Sequence, residues 1–274
     1  GDTRELNNVY VWNLIDFTLK AQWKAHAKGN VCLSISQDGK YLATGGADRT
    51  IKIWAWNTFK EVATFRGHID RIRQVEFLKN GNYLVSNSFD STIRIWDIKN
   101  NLEQKILRNH EDYFILNKSP RKSHFQRISC LVASSDNQFI ATGSPDETVR
   151  VWDVKSGQQL YKFDGVKEDV TAIAFSPNNK FIAFGERKTL PSRVFIWNLV
   201  NGKLFREFES SDWYMEYLKF SPDGEYFLGC DGVSIGRLWD VNSGVYIKDL
   251  GYHKSTFRGL KTLQFISNSK QLLI

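Results

Sequence analysis

Apolar and polar residues alternate along short runs of this chain, and six of these runs end at a tryptophan. Alternation with a period of two indicates β-strands, and the Val and Ile residues that fill the runs favour the same structure. The tryptophans follow one another at steps of 42, 42, 56, 45 and 42 residues, at Trp12, Trp54, Trp96, Trp152, Trp197 and Trp239. The pattern therefore predicts a repeated all-β unit.

The unit around Trp96 shows how many strands one repeat holds. Alternation predicts strands over 72–77, 83–88, 92–98 and 102–107, separated by turn residues such as Asn80-Gly81. Turn residues recur at the same phase in three other units, at Asp38-Gly39, Pro177-Asn178-Asn179 and Pro222-Asp223-Gly224. One small sheet cannot bury both of its faces, so repeats of this period stack as propeller blades. We expect an all-β propeller of four-stranded antiparallel blades, with six repeat lengths present.

Two dipeptides at fixed positions in the repeat connect the chain to a known family. Gly67-His68 precedes the first strand of one unit, and Trp96-Asp97 and Trp152-Asp153 end third strands. Through these residues the chain resembles the WD-repeat family, and the resemblance covers essentially its whole length. It implies a WD-repeat β-propeller that acts as a non-catalytic scaffold or sensor module for protein–protein interaction.

The residues His68, Ser86 and Asp90 look like a base, a nucleophile and an orienting acid. The same spacing, with offsets of 18, 22 and 28 from histidine to tryptophan, occurs three times, which favours architecture over a single active site. The resemblance implies that each set forms a buried hydrogen-bonded tetrad. The three tetrads are His26, Thr44, Asp48 and Trp54; His68, Ser86, Asp90 and Trp96; and His124, Thr142, Asp146 and Trp152.

Two further units have lost this polar pattern. Val166 and Phe184 take the histidine and serine positions of one unit. In the next unit the histidine, serine and aspartate positions hold Ser211, Gly229 and Val233. We expect apolar packing to hold both of these blades together.

The resemblance also implies where a partner binds. In the family, the narrow face is lined by residues three and five beyond the tetrad histidine and by the residue before the tetrad aspartate. An insertion over 108–123 and a lengthened turn over 185–192 extend the same rim. The predicted partner-binding residues are Arg71, Arg73, Phe89, Lys118, Arg121, Lys122, Arg127, Arg187, Lys188 and Tyr214.

Basic and aromatic side chains of this kind are common at binding hot spots and favour an acidic or phosphorylated protein segment as the partner. Two alternatives remain open. The residues are ordinary solvated charges, or they hold RNA or another nucleic acid within a ribonucleoprotein assembly.

The composition agrees with a soluble binding module. The chain has a formal net charge of +7, 42% hydrophobic residues and no apolar run long enough to span a bilayer. No phosphate loop or metal-ligand spacing is evident, so we expect no catalysis, cofactor or metal. Cys32, Cys130 and Cys230 lack metal-ligand spacing and are expected as buried reduced thiols in an intracellular, cytoplasmic protein.

The chain opens at a predicted third strand and stops at a predicted second strand. Residues 1–274 are therefore either a six-bladed domain whose last blade joins 259–274 to 9–24, or a portion of a longer propeller. We favour the second arrangement. Partner identity, attached domains and oligomeric state do not follow from these residues.

Overall fold

The computed structural model describes residues 7–78, 81–108, 128–163, 166–187, 192–210, 215–231, 235–252, 264–265 and 272–273. Every regular element in these ranges is a β-strand, and no helix there could cross a membrane. The chain divides into two compact units, residues 1–128 and 129–274. A single propeller domain over 1–274 stays a prediction.

The described residues of the first unit form one two-stranded and two four-stranded sheets. The two-stranded sheet pairs β1 (Asn8–Trp12) with β2 (Leu19–Lys24). The next sheet consists of β3 (Asn30–Ile35), β4 (Tyr41–Gly46), β5 (Thr50–Ala55) and β6 (Glu61–Arg66). The last consists of β7 (Ile72–Phe77), β8 (Tyr83–Ser88), β9 (Thr92–Asp97) and β10 (Leu102–Arg108).

The described residues of the second unit form three four-stranded sheets and one of two strands. The first has β11 (Cys130–Ala133), β12 (Phe139–Gly143), β13 (Val149–Asp153) and β14 (Gln159–Phe163). The second has β15 (Asp169–Phe175), β16 (Phe181–Arg187), β17 (Ser192–Asn198) and β18 (Lys203–Ser210). The third has β19 (Met215–Phe220), β20 (Tyr226–Asp231), β21 (Ile235–Asp240) and β22 (Tyr246–Tyr252). Finally, β23 (Gln264–Phe265) pairs with β24 (Leu272–Leu273).

These sheets confirm the predicted four-stranded antiparallel blade. Within each four-stranded sheet, strands that are consecutive in sequence are hydrogen-bonded neighbours. In the repeat around Trp96, the four strands begin at the predicted residues and end within one residue of the predicted ends. The alternation and the turn residues therefore identified all four strands, although β8 is buried on both faces and β10 is mostly exposed.

A shift of register recurs beside the tryptophan of the third strand. It falls between Ile53 and Trp54 in one sheet and between Val151 and Trp152 in another. A β-bulge increases the local twist and redirects a side chain. Both indoles are almost fully buried, and each one reaches a hydroxyl on the neighbouring second strand.

Apolar side chains from successive sheets form the core within each unit. In the first unit, Val75 and Phe77 of β7 pack with Ile51 and Ile53 of β5. A hydrogen bond from Phe77 N to Ser34 Oγ, 3.1 Å long, also joins the two sheets. In the second unit, an apolar cluster joins two sheets and includes Phe163, Phe184 and Phe195.

The three cysteines form no disulfide and lie on strands. Cys130 and Cys230 are buried as predicted, whereas Cys32 is only partly buried. Desolvation of the Cys32 thiol raises its pKa to about 12, so this sulfur stays protonated at neutral pH.

Candidate functional site

A buried hydrogen-bond network in the sheet β7–β10 joins the four residues of one predicted tetrad. Three of them have the residue types of a catalytic triad. His68 Nδ1 lies 2.7 Å from Asp90 Oδ2, and His68 Nε2 lies 2.8 Å from Ser86 Oγ. The Trp96 indole N–H donates to the same Ser86 Oγ at 2.8 Å. The structure therefore brings together all four members of this predicted tetrad.

Ser86 is poorly placed to act as a nucleophile. Its residue is completely buried, and its hydroxyl oxygen already accepts the indole hydrogen bond from Trp96 while facing His68. Asp90 holds the preceding loop by accepting a hydrogen bond from Ile69 N at 3.0 Å. The network thus connects a loop, two strands and a turn, so its role is to stabilise the fold.

The sheet β3–β6 repeats this arrangement. His26 Nδ1 lies 3.0 Å from Asp48 Oδ1, and His26 Nε2 lies 2.8 Å from Thr44 Oγ1, which also accepts the Trp54 indole N–H at 2.9 Å. Asp48 Oδ2 accepts a hydrogen bond from Ala27 N. Burial lowers the pKa of His26, as it does that of His68, so both imidazoles are neutral at pH 7.

The third tetrad is described in part. Trp152 donates its indole N–H to Thr142 Oγ1 at 3.0 Å, while Asp146 accepts from Thr148 N and Thr148 Oγ1 at 3.1 and 2.7 Å. The predicted histidine of this set, His124, lies outside the described residues.

A threonine two residues after each aspartate is a fifth member that the sequence reasoning missed. Thr50 Oγ1 and Thr92 Oγ1 each donate to the aspartate at 2.7 Å and lie 3.2 Å from the histidine Nδ1. Thr148 makes the same bond to Asp146. The recurring Asp-x-Thr spacing was present in the sequence and could have identified these residues.

The sheet β15–β18 has the predicted apolar packing and, in addition, a buried carboxylate that was not predicted. Phe184 does replace the tetrad serine and is buried among apolar side chains, but Glu186 is fully buried as well. Glu186 Oε2 accepts a hydrogen bond from Lys167 N at 3.1 Å, and Glu186 Oε1 accepts one from Arg193 Nε at 2.6 Å. Lys167 follows Val166 at the histidine position, so this carboxylate holds the loop as the tetrad aspartates do.

One of the three replaced tetrad positions in the sheet β19–β22, Gly229, lies within the described residues. Ser211 and Val233 lie outside the described residues. At the serine position, a Cβ added to Gly229 would lie 2.9 Å from Met215 Sδ and 3.0 Å from Trp239 Cζ3. Met215 and Trp239 fill this space, so the position is surrounded by apolar side chains and provides no hydroxyl group.

Three of the predicted partner-binding residues form one surface in the first unit, which we call the Arg71–Phe89 surface and define as Arg71, Arg73 and Phe89. Both arginines are exposed and Phe89 is half-buried. The Arg71 Cζ lies 3.8 Å from the centroid of the Phe89 ring, and the Arg73 Cζ lies 5.9 Å from it. Such distances place both guanidinium groups within range of a cation–π interaction.

Backbone hydrogen bonds fix this surface in place. Phe89 N donates to Arg71 O at 3.1 Å. The buried Ser88 hydroxyl lies 2.9 Å from Arg71 O and 3.0 Å from Asp70 O. The loop before β7 and the turn after β8 are therefore held next to each other, which places the Phe89 ring within reach of the Arg71 guanidinium.

The other seven predicted binding residues are not part of the Arg71–Phe89 surface. Arg187 ends β16 in the second unit and is exposed. The remaining six lie outside the described residues, namely Lys118, Arg121, Lys122, Arg127, Lys188 and Tyr214. Across the described ranges, no group of three His, Cys, Asp or Glu side chains could hold a metal ion.

Comparison with known proteins defines the class of protein. The WD domain, G-beta repeat family matches more than half of the chain, at residues 17–55, 59–97, 117–153 and 157–198. The chain therefore belongs to the WD-repeat family, whose members are generally non-catalytic scaffolds. The sheet β19–β22 lies outside the matched ranges.

Several curated proteins are similar to most or part of the chain. The periodic tryptophan protein 2 homolog of Dictyostelium discoideum is 28% identical over 82% of this chain and 23% of its own length. Human transducin beta-like protein 2 is 26% identical over 82% of this chain and 51% of its own length. The pre-mRNA-processing factor 19 homolog 2 of Arabidopsis thaliana is 36% identical over 33% of this chain and 16% of its own length. The chain thus spans about half or less of these relatives.

Proposed function

We propose that this chain is a non-catalytic scaffold module whose Arg71–Phe89 surface binds an acidic or phosphorylated segment of a partner protein on the narrow face of the propeller. The observation that carries this proposal is the stack of the Arg71 guanidinium on the Phe89 ring at 3.8 Å. Stacking uses the flat face of a guanidinium and leaves its N–H edge for two parallel bonds to a carboxylate or phosphate.

Preorganisation and charge support this assignment. The backbone hydrogen bond from Phe89 to Arg71 holds the two segments that carry this surface next to each other before a partner arrives, which lowers the entropy cost of ordering them on binding. The formal net charge of +7 also favours encounter with acidic segments. Arginine and aromatic side chains are frequent where binding energy is concentrated.

The direct test measures binding of matched phosphorylated, glutamate-containing and neutral peptides by fluorescence anisotropy. We expect Arg71→Glu with Arg73→Glu to weaken binding of the anionic peptides by about a hundredfold, or roughly 2.7 kcal/mol. Phe89→Ala should weaken it less. The matched control, Lys60→Glu with Arg66→Glu, makes the same change of net charge at exposed residues of β6 and its preceding turn. Equal losses of peptide binding in the two double variants would refute the proposal that the Arg71–Phe89 surface binds specifically.

RNA is the second candidate ligand. One relative is named as a pre-mRNA-processing factor, and an arginine stacked on an aromatic ring can also contact phosphates and bases. Single-stranded RNA of mixed sequence should be titrated in the same assay at several salt concentrations. Tighter binding of RNA than of every anionic peptide, lost on Phe89→Ala, would favour this candidate over a protein partner.

We also propose an intracellular, cytoplasmic location for the module. None of its three cysteines is in a disulfide, and two of them are buried on strands, which suits a reducing compartment. Imaging of the tagged full-length protein tests this location, and secretion into the medium would contradict it.

A further inference from the structure

Arg73 is the extra residue of a β-bulge in β7. In the pairing of β7 with β8, the register shifts between Ile72 and Gln74. A bulge of this kind bends its strand and redirects the side chain that it carries. The guanidinium Cζ of Arg73 lies 5.9 Å from the centroid of the Phe89 ring, at the outer limit of a cation–π interaction. Backbone geometry therefore contributes to bringing this side chain close to the ring.

The same bulge recurs in the first strand of three other sheets. The register shifts at the corresponding place in β3, β15 and β19, where the extra residues are Val31, Thr171 and Glu216. Bulges are often found next to functional sites, where they direct a side chain. The backbone feature is thus constant while its side chain is apolar, hydroxyl, acidic or basic. Arg73 is the basic residue of this set, so the chemistry at its position is particular to the sheet β7–β10.

Two guanidinium groups meet at the Phe89 ring. The Cζ of Arg71 is 3.8 Å from the ring centroid and that of Arg73 is 5.9 Å from it, so the two cations lie close to each other. Like charges in such an arrangement repel, and an anion that contacts both of them offsets the repulsion. Within the described part of the chain, Arg71 forms no ion pair. Its N–H edge is therefore available to an anion from a partner.

Two carboxylates lie close in sequence to the arginines. Asp70 is exposed, and its Oδ1 accepts a hydrogen bond from Arg71 N at 2.6 Å. Asp90 directs its carboxylate into the tetrad, where it accepts hydrogen bonds from Ile69 N and Thr92 Oγ1. Both carboxylates therefore lower the positive potential of the surface without occupying the guanidinium donors of Arg71.

A phosphate monoester suits this pair of arginines better than a carboxylate does. A carboxylate has one charge and two oxygens, which a single guanidinium satisfies through two parallel hydrogen bonds. A phosphorylated side chain has a charge of about −1.5 to −2 at neutral pH and three acceptor oxygens. It can therefore bond to two guanidinium groups at once.

We propose that Arg73 makes the Arg71–Phe89 surface selective for a phosphorylated side chain over an aspartate or a glutamate. Arg71, stacked on Phe89, contacts either kind of anion, and Arg73 adds hydrogen bonds that a phosphate can accept in addition. This inference rests on the proposed function, because it names the chemical class of partner that the same surface prefers.

The test compares three peptides that differ at one side chain, with binding to the full chain measured by fluorescence anisotropy at pH 7.5. Phosphoserine carries close to two negative charges on its phosphate. Sulfoserine has the same number of terminal oxygens but a single charge, and glutamate has a single charge on two oxygens. We expect the phosphoserine peptide to bind at least about tenfold more tightly than either of the others.

Single substitutions then assign this preference to Arg73. Arg73→Gln should reduce the preference for phosphoserine over glutamate to less than about threefold, because one guanidinium remains. Arg73→Ala is a second variant with the same expected result. The matched control is Arg66→Gln, which removes one exposed positive charge from β6 and should leave the preference at its original value. Melting temperatures of all variants should be compared, to show that each one is folded.

Three results would contradict the inference, and they separate it from the proposed function. If phosphoserine binds no more tightly than sulfoserine or glutamate, and all binding is lost in Arg71→Glu with Arg73→Glu, the selectivity is refuted but the proposed function stands. If the phosphoserine preference persists in Arg73→Gln and Arg73→Ala, Arg73 does not determine it. If none of the three peptides binds, both the inference and the proposed function are refuted.

Discussion

The buried Glu186 carboxylate pairs with the half-buried Arg193 guanidinium, with 2.6 Å between Glu186 Oε1 and Arg193 Nε, in a sheet that lacks the tetrad serine and histidine. Arg193 aligns with the threonine that follows the tetrad aspartate in other repeats, four residues before the tryptophan. Glu186, with its longer side chain, therefore takes the role of the tetrad aspartate, and Arg193 takes that of the threonine. The loop keeps its hydrogen bond, from Lys167 N to Glu186 Oε2.

Glu186→Gln is expected to destabilise the chain by about 1–2 kcal/mol, because it replaces the charge-assisted hydrogen bond from Arg193 to a buried carboxylate with a neutral one. Urea unfolding followed by circular dichroism measures this loss. Glu207→Gln is a matched control, since Glu207 also pairs with Arg193, at 3.1 Å, but is 39% exposed. Its loss should stay below about 1 kcal/mol. Equal losses for the two variants would show that burial of Glu186 does not matter.

Asp90→Ala is expected to lower the melting temperature by several degrees. It removes the acceptor for Ile69 N and Thr92 Oγ1 and the partner of His68. A loss of about 2 kcal/mol from unpaired buried donors corresponds to roughly 4–8 °C for a chain of this size. Asp38→Ala removes an exposed turn carboxylate and should cost less. An unchanged melting temperature for Asp90→Ala would contradict the structural role of the tetrad.

Stability should fall as the solution is acidified, in two steps. Burial lowers the pKa of His68 from 6.5, so the unfolded chain takes up this proton first and stability declines once the pH drops below 6.5. Burial alone would raise the pKa of Asp90, but interactions with His68 and Thr92 outweigh it and lower the pKa to about 2.

The Asp90 contribution is therefore present above pH 3.8 and is lost between pH 3.8 and about 2. Urea midpoints from pH 8 to 2 measure both steps. The difference in urea midpoint between the Asp90→Asn variant and the parent protein should shrink as the pH falls from 3.8 to about 2. A constant difference over the whole range would contradict the assignment of that step to Asp90.

Glu147→Gly is expected to stabilise the second unit by about 0.5–1 kcal/mol, because Glu147 has a φ of 66°, which disfavours a side chain. Glu147→Ala removes the same charge but keeps a Cβ, so it should give no such gain. Thermal unfolding of the two variants separates backbone strain from charge. A gain of equal size in both would attribute the effect to charge.

The sequence was sufficient for the blade and for the tetrads of the first unit. The strands around Trp96 were predictable because apolar and β-branched residues alternate between recognisable turns, and the set of His68, Ser86, Asp90 and Trp96 was predictable because its spacing recurs. Arg71, Arg73 and Phe89 were predicted by the resemblance to the family, and the structure shows that they are neighbours.

The replacement by Glu186 and Arg193 was not predictable in the same way. It occurs once among the described sheets, so no repeated spacing marks it, and the acid lies two residues after Phe184 rather than at the aspartate position. The β-bulge at Arg73 was missed for a different reason. Two consecutive polar residues, Arg73 and Gln74, interrupt the alternation in β7, but such an interruption is compatible with a regular strand, and only the pairing with β8 reveals the bulge.

The state of the three native thiols has a practical consequence for spectroscopy. Maleimides and related reagents attack thiolates, and the native sulfurs are either enclosed or, at Cys32, held protonated by a pKa of about 12. A cysteine introduced at an exposed position such as Arg66 should therefore react first. Fluorophores or spin labels can be attached there while all three natural cysteines stay in place.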